Sequence, residues 1–300
     1  MFLLTESGEH HVPLIVEFIN HYLGEPVYRI QMHTTYPMWK SFFARFGTTP
    51  EKVFGVEYSP ENAIPWYSIM FVIACILTII IIRLFKGKLS EDDPRPGQMT
   101  LEAGFLAIKD MISSIIGEHG YRHLPVVATF GILILVSNLM GQFPLFMSPT
   151  ASVNVTFALG ISSFVYYNYV GISENGLWGH IRHFAGPKLP ALMLPITFLI
   201  FFIELISNSI RPFTLGVRLF ANMFSDEQVF VQITNLYPPL TQVLVPLVLT
   251  GLGVFVALVQ SFVFTLLSMI YIGEVSHAHE EHHEEEHHGD EIIAEAVATA

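Results

Sequence analysis

The segment Ser207-Asn-Ser-Ile-Arg-Pro-Phe-Thr-Leu-Gly-Val-Arg-Leu-Phe-Ala-Asn-Met-Phe-Ser-Asp-Glu227 decides how the whole chain is read. Apolar residues dominate on both sides of it, yet it carries Arg218. A guanidinium stays protonated at any physiological pH. At the centre of a hydrocarbon-embedded helix it costs at least a few kcal/mol, so it faces protein or water and marks a functional site by default. On an ideal helix Asn222 and Ser225 fall within about 40° of Arg218 and make one polar stripe with it. Glu227 falls about 180° away and Asp226 about 80°. Glu204 returns to the arginine's face, but about 20 Å along the axis.

Working outward, the composition agrees with a membrane setting. The chain has 300 residues, 52% of them hydrophobic and only 13% charged, with long uncharged runs. That describes a membrane protein rather than a soluble globule. The formal charge of −12 is local, because nine of the 26 carboxylates lie in residues 274–300 with no Lys or Arg among them. It therefore says nothing in favour of a nucleic-acid partner. Cys75 is the single cysteine, which excludes an intrachain disulfide framework or a cysteine metal site. The first long apolar run begins near Pro65, too late for a cleavable signal peptide.

The pattern predicts an all-α integral membrane protein with about five transmembrane helices plus an interfacial amphipathic helix. Residues 1–64 read as a non-cytoplasmic extension, with a short amphipathic helix over 12–23 and turns at Tyr36-Pro37, Thr49-Pro50 and Ser59-Pro60. Residues 65–275 form the membrane domain. Trp66–Phe85 is its first span, closed by Arg83, Lys86 and Lys88, a basic collar that places the N-terminus outside. After the Asp92–Gly97 turn, Leu101, Phe105, Ile108, Ile112 and Ile115 recur at three and four against Glu102, Lys109 and Asp110. That helix should lie flat on the cytoplasmic surface. Pro125–Phe146 and Val153–Val170 are the next spans, and Gly171–Lys188, with Arg182, returns to the cytoplasm.

Residues 189–236 keep a helical pattern for a length of roughly 70 Å, more than twice the ~30 Å hydrocarbon core. Either Pro212 splits it in two, or it is one long tilted helix kinked there. The second reading is preferred. An upright span over 213–236 would turn Arg218, Asn222, Asp226, Glu227 and Gln228 around most of its circumference. Leu240–Gly273 is also overlong, so the last two helices are expected as an oblique hairpin turning at Tyr237-Pro-Pro239. Residues 276–300, rich in His and Glu, read as a disordered cytoplasmic tail. A metal-sensing tail is the sharper alternative, but nothing spaces its histidines into a cage.

If the long helix runs from cytoplasm to outside, Glu204 lies in its cytoplasmic half, Arg218 near mid-membrane and Glu227 in the outer half. Two carboxylates at different depths, separated by a fixed positive charge, suit two aqueous half-channels that do not meet. A proton cannot hop through a guanidinium. A carboxylate brought beside one, however, has its pKa lowered by ~1–3 units and releases its proton. No carboxylate of this chain is both close to Arg218 and on its face, which points to a partner on another subunit. A packing salt bridge from Arg218 to Asp226, Glu227 or Glu204 is the bland alternative. Gln260 either bonds helix to helix or faces Arg218, and Asn138 reads as helix glue.

Arg211-Pro-Phe-Thr-Leu-Gly-Val-Arg-Leu-Phe-Ala-Asn222 and the residues after it resemble the signature of subunit a of F-type rotary ATP synthases. Further matches are Phe130–Pro144 with Ser137-Asn-Leu, Pro149–Thr156, Glu204, and Gln260–Gly273, so the likeness covers roughly 65–275 in unbroken order. The resemblance implies that Arg218 is the stator arginine facing a rotor carboxylate, with Asn222 and Gln260 as polar neighbours. It implies that Glu227 lines the outer half-channel and Glu204 the inner one. Its implied partners are the c-ring, subunit b of the peripheral stalk, the catalytic head and membrane lipid. The chain itself would be no enzyme, and would need no cofactor or metal, in an energy-transducing membrane such as a bacterial inner membrane, with its C-terminus in the cytoplasm. Two departures fall in the outer channel: Ser152, where many relatives have Asp, and Gly253, where His or Glu is common. They put more weight on Glu227 and water.

Two rivals compete with this reading. A secondary transporter or permease could use the intramembrane arginine to bind an anion, but it predicts internal repeats, and the sequence has none that we detect. A metal permease would need ligands inside the membrane, and all fourteen histidines fall outside the expected spans.

Overall fold

The computed structural model describes residues 13–49, 59–87, 90, 94–143, 146–184, 194–234 and 244–298. Among them seven α-helices follow in order and no strand occurs. They are α1 (Leu14–Ala44), α2 (Trp66–Lys86), α3 (Pro96–Ile116), α4 (Leu124–Met140), α5 (Val153–Phe184), α6 (Leu194–Thr234) and α7 (Leu244–Ala298). Five stretches are long and apolar enough to cross a bilayer: Trp66–Lys86, Gly120–Met140, Val153–Glu174, Phe198–Val229 and Leu247–Ser276. Helix α3 is not among them; it opens with Pro96 at its first turn, stops at Gly117 (φ +91°), and buries Ile112 and Ile116 on one side only. The chain is thus an all-α membrane protein with five candidate spans among the described residues and a further amphipathic helix, α3.

Helices α6 and α7 contain 41 and 55 residues. At 1.5 Å per residue they are roughly 60 and 80 Å long, so their apolar parts must lean to fit a ~30 Å core. Helix α6 runs through Pro212 without dividing. Proline lacks the N–H that would bond the Asn208 carbonyl. The Tyr167 hydroxyl stands beside this break: its proton goes to Asn208 Oδ1, and its oxygen lies 3.5 Å from that carbonyl. The Tyr237–Pro239 turn lies outside the described residues, as do Lys88, the Asp92-Asp93 pair, Pro50 and Lys188.

Glycines let α5 and α6 approach backbone to backbone. A Cβ at Gly160 would sit 2.6 Å from the Pro212 carbonyl oxygen, and one at Gly216 would sit 3.1 Å from that of Thr156. Small residues at such crossings are how membrane helices gain contact when lipid offers no hydrophobic drive. The crossing buries Leu215 and Leu219 with Val155, Leu159, Ile134 and Phe264. A second core joins Ile112 and Ile116 of α3 to Val127, Tyr167, Met269 and Ile272.

Four expectations need correction. Helix α1 extends to Ala44 through Pro26 and Pro37, where a short helix and a turn were expected. Both prolines are exposed, so water can take the carbonyls they free. The loop expected over 171–188 is helical as far as Phe184, broken only at Gly176, whose φ of +70° interrupts α5. The backbone of 277–298 continues α7 as helix rather than the expected disorder. Its Ala and Glu content favours helix and it holds no proline. Finally, His123 lies within the second of the five apolar stretches, Gly120–Met140, not outside every span.

Candidate functional site

Arg218 lies about 100° round α6 from the buried Leu215–Leu219–Met223 row, and its side chain is exposed. Ser207, Thr214, Asn222 and Ser225, all exposed, share its polar stripe, and the exposed surface flanking that stripe is apolar: Phe202, Ile206, Phe213 and Val217 on α6, and Leu252, Phe255 and Val259 on α7. Only 11% of the α6 span is buried within this chain, against 50% of the span that contains α4. Among the described residues Arg218 makes no ion pair with a carboxylate. The bland alternative of an internal salt bridge therefore has no support here.

An open cavity of about 430 Å³ lies between α6 and α7 and includes Arg218, Thr214, Ser207, Arg211, Tyr271 and Glu274. Its far end is a charge cluster that sequence reasoning missed. Arg211 engages Glu274 through both guanidinium nitrogens, the Nη2–Oε1 contact at 2.7 Å. Its Cζ stands 5.1 Å from the Tyr271 ring centroid. Glu204 lies 3.5 Å from the same guanidinium, so the expected inner carboxylate answers to Arg211 and not to Arg218. The signal was available in part: Arg211 is seven residues before Arg218, hence on the same helix face.

Asn222 and Gln260 do meet. The Asn222 Nδ2 donates to Gln260 Oε1 at 2.6 Å, fastening α6 to α7 one turn beyond the arginine. Gln260 is buried, and its Nε2 has no described partner. Next to it Ser261 donates to the Gly131 carbonyl at 2.6 Å, tying in α4. Asn138 accepts from Thr150 at 2.6 Å, and Thr150 in turn touches Ser148 at 2.7 Å. Asn138 thus glues α4 to the turn before α5, as expected, while its Nδ2 and the Ser137 hydroxyl have no described partner.

Glu227 is half-buried on α6, about 13 Å along the axis from Arg218. The residue before it, Asp226, accepts a hydrogen bond from Gln142 Nε2 at 3.0 Å, a pairing that no spacing rule revealed. At the other end of the bundle His123 contacts the Tyr166 hydroxyl at 2.9 Å and Arg122 pairs with Glu174. Among the described residues no three His, Cys, Asp or Glu side chains group as a metal site.

These features define a helical polytopic membrane protein with an ionisable, uncovered intramembrane face. The family described as ATP synthase A chain matches residues 68–273. A chain from Solibacter usitatus named ATP synthase subunit a is 38% identical over 229 residues, covering 75% of this chain and 93% of its own length. One from Aquifex aeolicus with the same name is 35% identical over 211 residues, 69% of this chain and 94% of its own. Another, ATP synthase subunit a 3 of Pelobacter propionicus, is 44% identical over 173 residues, 57% of this chain and 71% of its own. The chain belongs to the ATP synthase A chain family.

Proposed function

We propose that this chain is the stator subunit through which protons cross the membrane sector of an ATP synthase, coupling their passage to rotation of a c-ring. The observation that carries the proposal is the exposed Arg218, without an ion pair among the described carboxylates, on a polar stripe of an otherwise apolar helix that this chain leaves largely uncovered. A ring of helices bearing one carboxylate each would cover that helix and supply the counter-charge.

In this reading protons enter from the outer side past Glu227, with Asn222 and Gln260 shaping the inner end of that path. They load a rotor carboxylate, which is then shielded by lipid as the ring turns. On reaching the stator again it meets Arg218, which favours the ionised form and drives the proton into the cavity toward Glu204. The guanidinium also blocks direct passage between the two paths, because it cannot lose its own proton. Glu204 has Arg211 beside it at 3.5 Å, so the inner path carries a second fixed charge. The chain makes no ATP; that chemistry belongs to the catalytic head, held against rotation through the peripheral stalk. It sits in an energy-transducing membrane such as a bacterial inner membrane, N-terminus outside and C-terminus in the cytoplasm. Residues 1–64 form a peripheral extension, 65–275 the conducting domain and 276–300 a cytoplasmic tail.

Arg218→Ala tests this. ATP-driven proton pumping by vesicles containing the complex should vanish while the subunit stays assembled, since charge and not packing is removed. Pumping at the parental rate would refute the proposal.

A further inference from the structure

The turn that ends α4 meets both α6 and α7 at Gln142. A Cβ built on Gly253 would lie 2.4 Å from Nε2 and 2.6 Å from Oε1 of Gln142. Real Cβ atoms essentially never come that close, so the missing side chain at 253 is a notch that the Gln142 amide fills. From the notch Nε2 reaches across to Asp226 Oδ2 at 3.0 Å. Asp226 is half-buried, at the outer end of the α6 span. Its other oxygen has no described hydrogen bond, and a carboxylate has room for several.

The charged groups near Asp226 are few. On its own helix Glu227 follows it, and Arg218 lies two turns earlier. Helix α7 from Leu247 to Gln260 has no ionisable residue, and the turn after α4 offers Gln142 and Phe143. The uncharged amide fixes the carboxylate's orientation but cannot take its proton.

We infer that Asp226 is a proton-relaying carboxylate of the outer half-channel and that Gln142, seated in the Gly253 notch, is the residue that positions it. This rests on the proton-conducting reading above. In the step itself an oxygen of ionised Asp226 takes a proton from a hydronium on the outer side: one O–H bond of the hydronium breaks, one forms on the carboxyl, and a water molecule is left. The carboxyl then releases that proton to water or to Glu227; nothing is oxidised or reduced.

The test uses the whole ATP synthase in phospholipid vesicles, with ATP synthesis driven by an imposed proton gradient. Asp226→Asn keeps an oxygen for the Gln142 amide but cannot carry a proton. It should slow synthesis about tenfold, below the ~10²–10⁴ typical of a lost proton-transfer group because Glu227 remains. Asp226→Glu should restore at least half of the rate. Gln142→Ala and Gly253→Ala should each slow synthesis severalfold. Their double variant should be no slower than Gln142→Ala, because the group with which the new methyl collides is gone. Parental rates with Asp226→Asn, or absence of that variant complex from the membrane, would overturn the relay. Multiplicative losses in the double variant would overturn the notch. Arg218→Ala in the same vesicles separates the two readings: if it abolishes synthesis while Asp226→Asn does not slow it, only the present inference falls.

Discussion

Gly160→Ala probes the helix crossing that aims Arg218. The added methyl would lie 2.6 Å from the Pro212 carbonyl oxygen, a backbone atom that cannot rotate away. Contacts at 3.0–3.4 Å are already tighter than nine in ten real Cβ contacts, so α5 and α6 must part by at least several tenths of an ångström. Overpacking of this kind costs about 1–3 kcal/mol. Alanine's better helix propensity returns at most ~1 kcal/mol. A net loss of about 1–2 kcal/mol corresponds to roughly 2–8 °C for a domain of this size. Gly104 supplies the control, since nothing lies within 4 Å of a Cβ there. Gly104→Ala should be neutral or stabilising by up to ~1 kcal/mol. The assay heats detergent-solubilised complexes, reconstitutes them, and finds the temperature at which half of the proton pumping is lost. Gly160→Ala should fall below the parent and Gly104→Ala should not. If Gly160→Ala survives heat as well as Gly104→Ala, the backbone crossing does not constrain the arginine as argued.

Three further outcomes follow from contacts between α6 and α7 and from the tail. Arg211→Glu should slow pumping and Glu274→Arg should do the same, while the exchanged pair recovers much of the loss. The coupling read from that cycle should be about 0.5–1 kcal/mol, discounted because Glu274 keeps 38% of its side-chain surface exposed. Asn222→Ala strands the buried Gln260 carboxamide and should destabilise the α6–α7 contact by about 1–3 kcal/mol, read as increased protease sensitivity of the complex. Deleting residues 277–300 should leave ATP-driven pumping within about twofold of the parent, because the segment lies beyond residues 68–273, which the family matches. A larger loss on deletion would give that segment a role in coupling.

The spans were legible because a bilayer demands twenty or so apolar residues, and that demand is written in composition alone. Helix ends were harder. Pro26 and Pro37 look like breaks in sequence, but exposed carbonyls cost little, so α1 passes through both. Passage of the helix through Pro212 could be argued from the polar circumference that an upright 213–236 span would show to lipid, but its neighbour there, Tyr167, is 45 residues earlier and on another helix. The polar stripe of Arg218 and Asn222 could be read because one helix fixes their mutual phase. The pairing of Glu204 with Arg211, of Arg211 with Glu274, and of Asp226 with Gln142 could not. Each depends on how deep a residue sits relative to another helix, or on which of two arginines on one face a carboxylate prefers. Gly253 shows the limit most clearly: as a missing side chain it reads as a gap, and only its neighbour gives it a purpose.

Helix α6 has so little cover from its own chain that folding alone cannot finish it. Inserted ahead of its neighbours, the subunit would hold a bare cation against acyl chains, a state several kcal/mol above the assembled one. Excess copies would thus be the least comfortable molecules in the membrane. Synthesis of this chain must therefore be matched in timing and amount to the arrival of whatever closes over Arg218.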